Sequence, residues 1–124
     1  MAIRVLIVDD AAFLRMQLRT MFENRGAEVV GEAGDGDECI RQYERLKPDL
    51  VTLDITMPDV DGITVLKNLK EKHPEAKVVM CSAMSQPEKF IESIQSGAFD
   101  FIVKPFNGDK ISSILKTLEL EKNK

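Results

Sequence analysis

Cysteine is scarce in this chain, which has only Cys39 and Cys81 among its 124 residues. The two lie far apart, and neither belongs to a Cys-x-x-Cys pair or to a cluster of cysteine and histidine, so the pattern indicates neither zinc binding nor redox chemistry. The N-terminus also lacks the layout of a secretory signal. We therefore expect two reduced thiols in a cytoplasmic protein that folds without disulfides.

Long apolar runs and an excess of basic charge are missing as well. No run approaches the roughly 20 residues that a membrane-spanning helix needs, which predicts a protein without membrane insertion. The net charge is −4, whereas a protein that binds nucleic acid as its main partner usually carries a concentrated basic face. Internal repeats, low-complexity stretches and linkers are also missing, so we expect one domain spanning residues 1–124, most simply a monomer.

Five strand-like runs alternate with five helical patterns along the sequence. The predicted strands span residues 3–8, 50–53, 77–81 and 99–103, and a further strand begins at Val29-Val30 and ends at residues 32–34. Glycine, proline and capping residues separate the helices from them, with Gly26 as a predicted C-cap and Ser85 and Asn107 as predicted N-caps. Such alternation predicts an α/β fold with a parallel sheet and helices on both faces.

Polar side chains follow four of the five predicted strands. Asp9 and Asp10 follow the first, and the third, fourth and fifth lead into Asp54, Ser82 and Lys104. In open α/β sheets, the carboxyl ends of the strands meet at the edge where ligands bind. We therefore expect these five side chains to lie close together.

The chemistry of this set indicates phosphoryl transfer. Three converging carboxylates repel one another, and Mg²⁺, which prefers oxygen ligands, relieves that repulsion. Lys104 supplies a positive charge for phosphoryl oxygens, and Ser82 supplies a hydroxyl donor. A carboxylate nucleophile such as Asp54 in these surroundings would form an acyl phosphate.

Each of these residues also has an ordinary structural explanation when it is taken alone. Asp10 could cap the first helix, Ser82 could simply end a strand, and Lys104 could be a surface lysine. We interpret residues 59–62 as a turn, with Gly62 adopting a positive φ. His73 is expected to complement a helix dipole near a C-terminus. The hypothesis therefore rests on the joint placement of the polar residues.

The motifs together resemble those of response-regulator receiver domains over essentially the whole chain. The matching segments are Val8-Asp9-Asp10, Asp54-Ile55-Thr56-Met57-Pro58 with Asp61-Gly62, Ser82-Ala83 and Lys104-Pro105-Phe106. The resemblance implies a doubly wound (βα)5 fold of flavodoxin-like type with strand order 2-1-3-4-5. It also implies a single receiver domain without an output domain.

The resemblance assigns roles to individual positions. Asp54 would be the phosphoacceptor, and Asp9, Asp10, Asp54 and the backbone carbonyl of Thr56 would bind Mg²⁺. Ser82 and Lys104 would contact the phosphoryl group, while Thr56 and Met84 would flank it. Ser82 and Phe101 would form the switch, with Phe101 where many relatives have tyrosine. The Lys104-Pro105 peptide bond would be cis.

The segments VDDAAFLR and CSAM favour the stand-alone chemotaxis regulators of this family. For these, the resemblance implies phosphorylation by the histidine kinase CheA and binding to a flagellar motor switch protein of FliM type. An auxiliary phosphatase is a further candidate partner. The partner-binding face would include Lys89, Phe90, Phe101, Ile111 and Lys116. The alternative within the family is a receiver in another phosphorelay or a phosphate sink.

Two other functional classes fit the sequence less well. Phosphatases of the haloacid dehalogenase type open with an Asp-x-Asp nucleophile motif, but residue 56 is threonine and the acidic pair comes first, at Asp9 and Asp10. We therefore expect a signalling protein rather than an enzyme that acts on other substrates. Flavodoxin-type carriers need a phosphate-binding loop after the first strand, where these two carboxylates would repel the flavin phosphate.

Overall fold

The computed structural model describes residues 2–57, 60–83 and 87–122, in which five strands alternate with five helices. The elements are β1 Arg4–Val8, α1 Ala12–Glu23, β2 Glu28–Ala33, α2 Gly36–Leu46, β3 Leu50–Asp54, α3 Gly62–Lys72, β4 Val78–Ala83, α4 Pro87–Gln95, β5 Asp100–Lys104 and α5 Gly108–Lys122. The predicted alternation is confirmed.

All four strand pairings are parallel, and the sheet has the order β2-β1-β3-β4-β5. This confirms the strand order that the family resemblance implied. Side chains of β1 alternate between the two helical layers, so that Leu6 and Val8 pack in one apolar cluster and Val5 and Ile7 in the other. A strand buried on both faces explains the nearly continuous apolar sequence of β1.

The register of the strands brings their carboxyl ends to one edge of the sheet. Val8 of β1 is paired with Leu53 of β3, which places Asp9 and Asp54 side by side just beyond them. On the other side of β3, Asp54 is paired with Cys81, the residue before Ser82. Ala83 of β4 is paired with Lys104 of β5. The parallel pairing thus gathers side chains that lie up to 95 residues apart in sequence.

Several predicted element ends differ from the structure. Strand β2 spans Glu28–Ala33, so it begins one residue before the predicted start at Val29 and ends within the predicted range. Helix α1 ends at Glu23 with Asn24 as its C-cap, so the prediction of Gly26 as C-cap was wrong. Gly26 lies in the following turn with a φ of +86°.

Polar side chains cap α2, α3 and α5, which begin at the carboxyl edge. Asp35 accepts a hydrogen bond from the Glu38 N–H at the start of α2. The predicted cap at α5 is confirmed, because Asn107 Oδ1 accepts from the Asp109 N–H at 2.7 Å. The predicted N-cap Ser85 lies outside the described residues, as do Pro58, Asp59 and Met84.

Gly62 is needed for a reason other than the one that the sequence indicated. Its φ is not positive, since Gly26 and Gly97 are the described glycines with positive φ. A Cβ on Gly62 would instead overlap the carbonyl oxygen of Asp54 and lie 2.8 Å from the Cα of Ile55. The prediction of a positive φ was wrong, and the close approach of α3 to the end of β3 is the physical constraint.

Both cysteines are free, as predicted, and the structure shows that both are buried. Burial, with a smaller effect of Asp35, raises the pKa of the Cys39 thiol to about 12. Among the described residues, no helix combines the length and the apolar character required to cross a bilayer.

Candidate functional site

Three carboxylates converge at the carboxyl edge of the sheet. Asp9 follows β1, Asp10 follows Asp9, and Asp54 is the last residue of β3. One oxygen from each lies within 4.8 Å of the others, with Asp9 and Asp54 buried and Asp10 exposed. The structure therefore brings together the acidic residues that the sequence predicted.

Lys104, the last residue of β5, reaches into this cluster. Its Nζ lies 3.1 Å from Asp54 Oδ1 and 3.6 Å from Asp9 Oδ2. Burial opposes the charged ammonium, but the Asp54 and Asp9 carboxylates outweigh that effect and raise the pKa of Lys104. Burial, followed by the repulsion of Asp9, raises the pKa of Asp54, and Lys104 only partly offsets this. One cation thus incompletely compensates three carboxylates.

The turn after β1 leaves one oxygen of Asp9 available. Asp9 Oδ1 accepts a hydrogen bond from the Ala11 N–H at 2.9 Å. Asp9 Oδ2 is buried and has no hydrogen-bond partner within the described part of the chain. A buried anionic oxygen without a donor is costly, and a cation beside the three carboxylates would compensate it. This donor set of hard oxygens fits Mg²⁺.

The alternative that Asp10 caps the first helix is not borne out. The N-cap of α1 is Ala11, and no side chain caps that helix. Asp10 is exposed with its carboxylate in the cluster. Its position is thus explained by the acidic site rather than by the helix end.

Ser82 and Thr56 differ in their exposure to solvent. Ser82, the penultimate residue of strand β4, is buried at 2% exposure, whereas the Thr56 side chain is exposed. The Thr56 N–H lies 3.4 Å from Asp54 Oδ1, which is a long hydrogen bond. Thr56, two residues after Asp54, therefore lies exposed beside the site.

The predicted switch aromatic faces inward. Phe101 is 7% exposed, and the ring of Phe90 from α4 meets it edge to face at 5.2 Å between centroids. Phe90, which was predicted for the partner-binding face, is 45% exposed. The peptide bond between Lys104 and Pro105 is cis, as the resemblance implied.

The predicted partner face is only partly at the surface. Ile111 is fully buried at 0% exposure, because its side of α5 packs in the core against the sheet, so its inclusion was wrong. Lys116 is exposed, and Lys89 is half-buried at 3.9 Å from Glu92. A groove of about 630 Å³ between α4, β5 and α5 is lined partly by Phe90, Phe101 and Lys104.

His73 lies at the opposite edge of the sheet, where it is the C-cap of α3. Its Nε2 lies 3.0 Å from Glu44, and its ring contacts that of Tyr43 at 4.9 Å between centroids. These groups line a cavity of about 720 Å³ that includes none of the predicted site residues. The predicted position of His73 at a helix C-terminus is therefore confirmed.

Arg15 and Glu32 are neighbours of the site that sequence reasoning missed. Arg15 donates to the backbone carbonyl of Asp9 at 2.6 Å and to Glu32 at 3.0 Å. A weak signal was available, because Arg15 lies one helical turn after Ala11 in α1 and faces back toward the turn that holds Asp9. Glu32 follows the apolar start of β2, where the sequence alone was uninformative.

Comparison with known proteins places this geometry in context. The family model for the response regulator receiver domain matches residues 5–116. The chain is 52% identical over 119 residues to the chemotaxis protein CheY of Bacillus subtilis, covering 95% of this chain and 99% of that protein. It is 48% identical over 108 residues to the protein CcdB of the same organism, covering 87% of this chain and 90% of CcdB.

A solved structure shares the fold closely. The complex of CheX and CheY with BeF₃ and Mg²⁺ from Borrelia burgdorferi contains a chain with a TM-score of 0.87 and 38% sequence identity. The match covers 94% of this chain and 89% of that one. The similarity thus extends over nearly all of the sheet and its helices.

Proposed function

This chain belongs to the response regulator receiver family, and from that premise we propose that it is a phosphoacceptor of two-component signalling in which Asp54 is phosphorylated. The observation that carries the proposal is the convergence of Asp9, Asp10, Asp54 and Lys104 at one edge of the sheet. These groups supply the anionic nucleophile, ligands for a cation and a positive charge for phosphate.

The three carboxylates and the backbone carbonyl of Thr56 are the proposed ligands of Mg²⁺. Support comes from the buried oxygen of Asp9 that has no hydrogen-bond partner and from the oxygen-only donor set. When bound, Mg²⁺ would neutralise charge between the carboxylates and the incoming phosphoryl group. The ionised Asp54 would act as the nucleophile.

Lys104 would then change its partner. It is 3.1 Å from Asp54 Oδ1, and transfer of the phosphoryl group to Asp54 places new anionic oxygens within its reach. Ser82, on the adjacent strand, would donate a hydrogen bond from its hydroxyl to the same group. The free energy available to the switch is the difference in these contacts between the two states.

Phe101 and Phe90 link the site to the surface. Phe101 lies three residues before Lys104 on β5, so a shift of that strand would move it. Its ring supports the exposed Phe90, and both line the groove between α4, β5 and α5. We expect the partner to bind this groove, with Lys89 and Lys116 at its margins.

The proposed pathway is chemotaxis, with the histidine kinase CheA as phosphate donor and a FliM-type motor switch protein as target. The similarity to CheY of Bacillus subtilis supports it. A phosphorelay receiver or phosphate sink is the second candidate, since CcdB is nearly as similar and its name indicates no motor function. The cytoplasmic location, the single-domain organisation and an auxiliary phosphatase remain predictions.

Phosphorylation can be tested directly. The protein is incubated with acetyl phosphate and Mg²⁺, and the intact mass is measured. We expect one added phosphoryl group that is lost with Asp54→Asn or with EDTA. Asp61→Asn is the matched control, because Asp61 caps α3 outside the cluster, and it should be phosphorylated normally. An adduct that persists in Asp54→Asn would refute the assignment.

The pathway is tested by binding. Purified motor switch protein is titrated with and without beryllofluoride and Mg²⁺, and binding that requires beryllofluoride is expected for a chemotaxis regulator. Ser82→Ala should accept phosphate yet bind the target more weakly. Equal binding in both states would favour the relay or sink, and an unchanged response of Ser82→Ala would remove Ser82 from the switch.

A further inference from the structure

Strand β2 holds the backbone of Asp9 from two sides. The Asp9 N–H donates to the carbonyl of Ala33 at 3.0 Å. The Asp9 carbonyl accepts from Arg15 Nη1 at 2.6 Å, and Arg15 Nε donates to Glu32 Oε1 at 3.0 Å. Glu32 precedes Ala33, so two neighbouring residues of β2 determine where Asp9 lies, one of them through Arg15.

This arrangement limits the directions that the Asp9 carboxylate can take. Oδ1 is engaged by the Ala11 N–H, which leaves the buried Oδ2 toward Lys104 and Asp54. With both backbone groups of Asp9 bonded, rotation of the turn would break at least one of these contacts. Arg15 would resist this rotation, because its side chain is only 21% exposed and donates hydrogen bonds from both Nε and Nη1.

Electrostatics alone would make Arg15 unfavourable at this position. A guanidinium beside a cation site repels the cation, and Glu32 offsets that charge. Glu32 is fully suited to do so: burial opposes its charged form, but hydrogen bonds from Arg19 and Arg15 outweigh this and lower the pKa of Glu32. If Arg15 acts by positioning Asp9, its neutralisation should weaken Mg²⁺ binding. If it acts only through its charge, its neutralisation should strengthen Mg²⁺ binding.

We propose that Arg15, anchored by Glu32, is a positioning residue that orients Asp9 for binding of the divalent cation. The inference rests on the proposed function, because it concerns the same acidic site. Neighbours that orient a metal ligand typically change metal affinity by about 10- to 100-fold when they are lost. The loss of Arg15 should therefore weaken Mg²⁺ binding, although it removes a positive charge.

Arg19 offers a matched control. It binds the other oxygen of Glu32 at 2.8 Å and, among the described residues, makes its ion pairs with Glu32 and Glu23 rather than with Asp9. Arg19→Gln therefore removes the same charge from the same cluster without touching the turn. Mg²⁺ dissociation constants are measured for wild type, Arg15→Gln and Arg19→Gln from the ¹⁵N-amide shifts of residues 9–11. Urea unfolding in EDTA reports the stability of each variant separately.

We expect Arg15→Gln to weaken Mg²⁺ binding by about tenfold and Arg19→Gln to stay within about twofold. A Kd for Arg15→Gln that equals or improves on the wild-type value overturns the proposal, as does equal weakening by Arg19→Gln. A purely structural role would lower the unfolding free energy and leave Kd unchanged. Should Arg15→Gln fail to fold, Arg15→Lys, with one nitrogen in place of a planar fork, must weaken binding at least threefold, and an unchanged Kd overturns the proposal.

The same titration separates this inference from the proposed function. Wild-type protein that shows no Mg²⁺-dependent shifts overturns both. Wild type that binds Mg²⁺ with a tenfold difference for Arg15→Gln, but takes no phosphoryl group from acetyl phosphate, overturns the function and leaves the positioning role supported. Normal phosphorylation with equal Mg²⁺ affinities overturns the positioning role alone.

Discussion

Replacing Asp54 with asparagine should stabilise the protein when Mg²⁺ is absent. The ionised Asp54 lies beside two other carboxylates and one lysine. Burial, followed by Asp9, raises its pKa in spite of Lys104. Ionising this carboxyl group therefore costs more free energy in the folded state than in the unfolded chain, and Asp54→Asn removes that cost because its side chain is neutral at every pH.

The distances indicate the size of the effect. At an effective dielectric constant near 20, two carboxylates at the 4.8 Å limit of the cluster repel by about 3.5 kcal/mol. Two such pairs give about 7 kcal/mol, against about 5 kcal/mol of attraction to Lys104 at 3.1 Å. Solvent screens the exposed Asp10, so we expect Asp54→Asn to add about 1–2 kcal/mol to the free energy of unfolding.

Mg²⁺ should reduce the difference in unfolding free energy between wild type and Asp54→Asn. At ten times its Kd, a ligand that binds only the folded state stabilises it by about 1.4 kcal/mol. Asp54→Asn has lost a proposed Mg²⁺ ligand and should gain less. The assay is urea unfolding followed by far-UV circular dichroism, which suits a chain without tryptophan, in EDTA and in Mg²⁺.

The pH dependence has a definite sign. Because the folded-state pKa of Asp54 is raised, the folded protein binds the proton more tightly than the unfolded chain does. Wild-type stability in EDTA should therefore fall as pH rises from the ordinary aspartate pKa through the raised value. Asp54→Asn should lack this loss.

Two results would refute the reasoning. An Asp54→Asn variant that is less stable than wild type in EDTA would show that the cluster is not repulsive. A stability difference that Mg²⁺ leaves unchanged would show that Asp54 is not a ligand. Asp61→Asn again serves as control, because asparagine caps helices as well as aspartate does, and its stability should stay within about 0.5 kcal/mol of wild type.

Gly62→Ala should lower the free energy of unfolding by about 1–3 kcal/mol through overlap with the β3 backbone, and Gly62→Asn should be at least as destabilising. At Gly26, where φ is +86° and space is open, asparagine should be tolerated better than alanine in urea unfolding. Recovery of stability with Gly62→Asn would restore the positive-φ explanation. Ile111→Ala should cost about 2–5 kcal/mol, whereas Lys116→Ala should stay within about 0.5 kcal/mol; similar values for both in urea unfolding would contradict the burial of Ile111. Cys39 should resist iodoacetamide in the native state and react in urea, as mass spectrometry would show, since it is buried and its thiol pKa is raised to about 12; rapid native alkylation would contradict this.

The parts of the fold that the sequence predicted correctly depend on local patterns. Alternation of buried strands and amphipathic helices is visible along the chain, and so is the N-cap Asn107. The ends of helices were less predictable, since α1 ends at Glu23, before the glycine that was expected to cap it. The strand order came from resemblance to a family, since periodicity carries no information on which strands are neighbours.

For the site, the sequence indicated which residues carry the chemistry but not how they are supported. Asp9, Asp54 and Lys104 stood out because each follows or ends a strand, and parallel pairing brings such positions together. Arg15 and Glu32 escaped notice because an arginine in a helix and a glutamate in an edge strand are common at any surface. Only the distances of 2.6 and 3.0 Å connect them to Asp9.

The sequence by itself determined the class of fold and the identity of the acidic residues, because periodicity and residue type are local properties of the chain. Tertiary structure alone decided that Ile111 is buried, that Gly62 is required by close approach, and that Asp9 retains an oxygen without a donor. Each of these depends on packing between segments distant in sequence. That packing decides which carboxylate oxygen remains available to a ligand, and which apolar side chains remain at the surface for a partner.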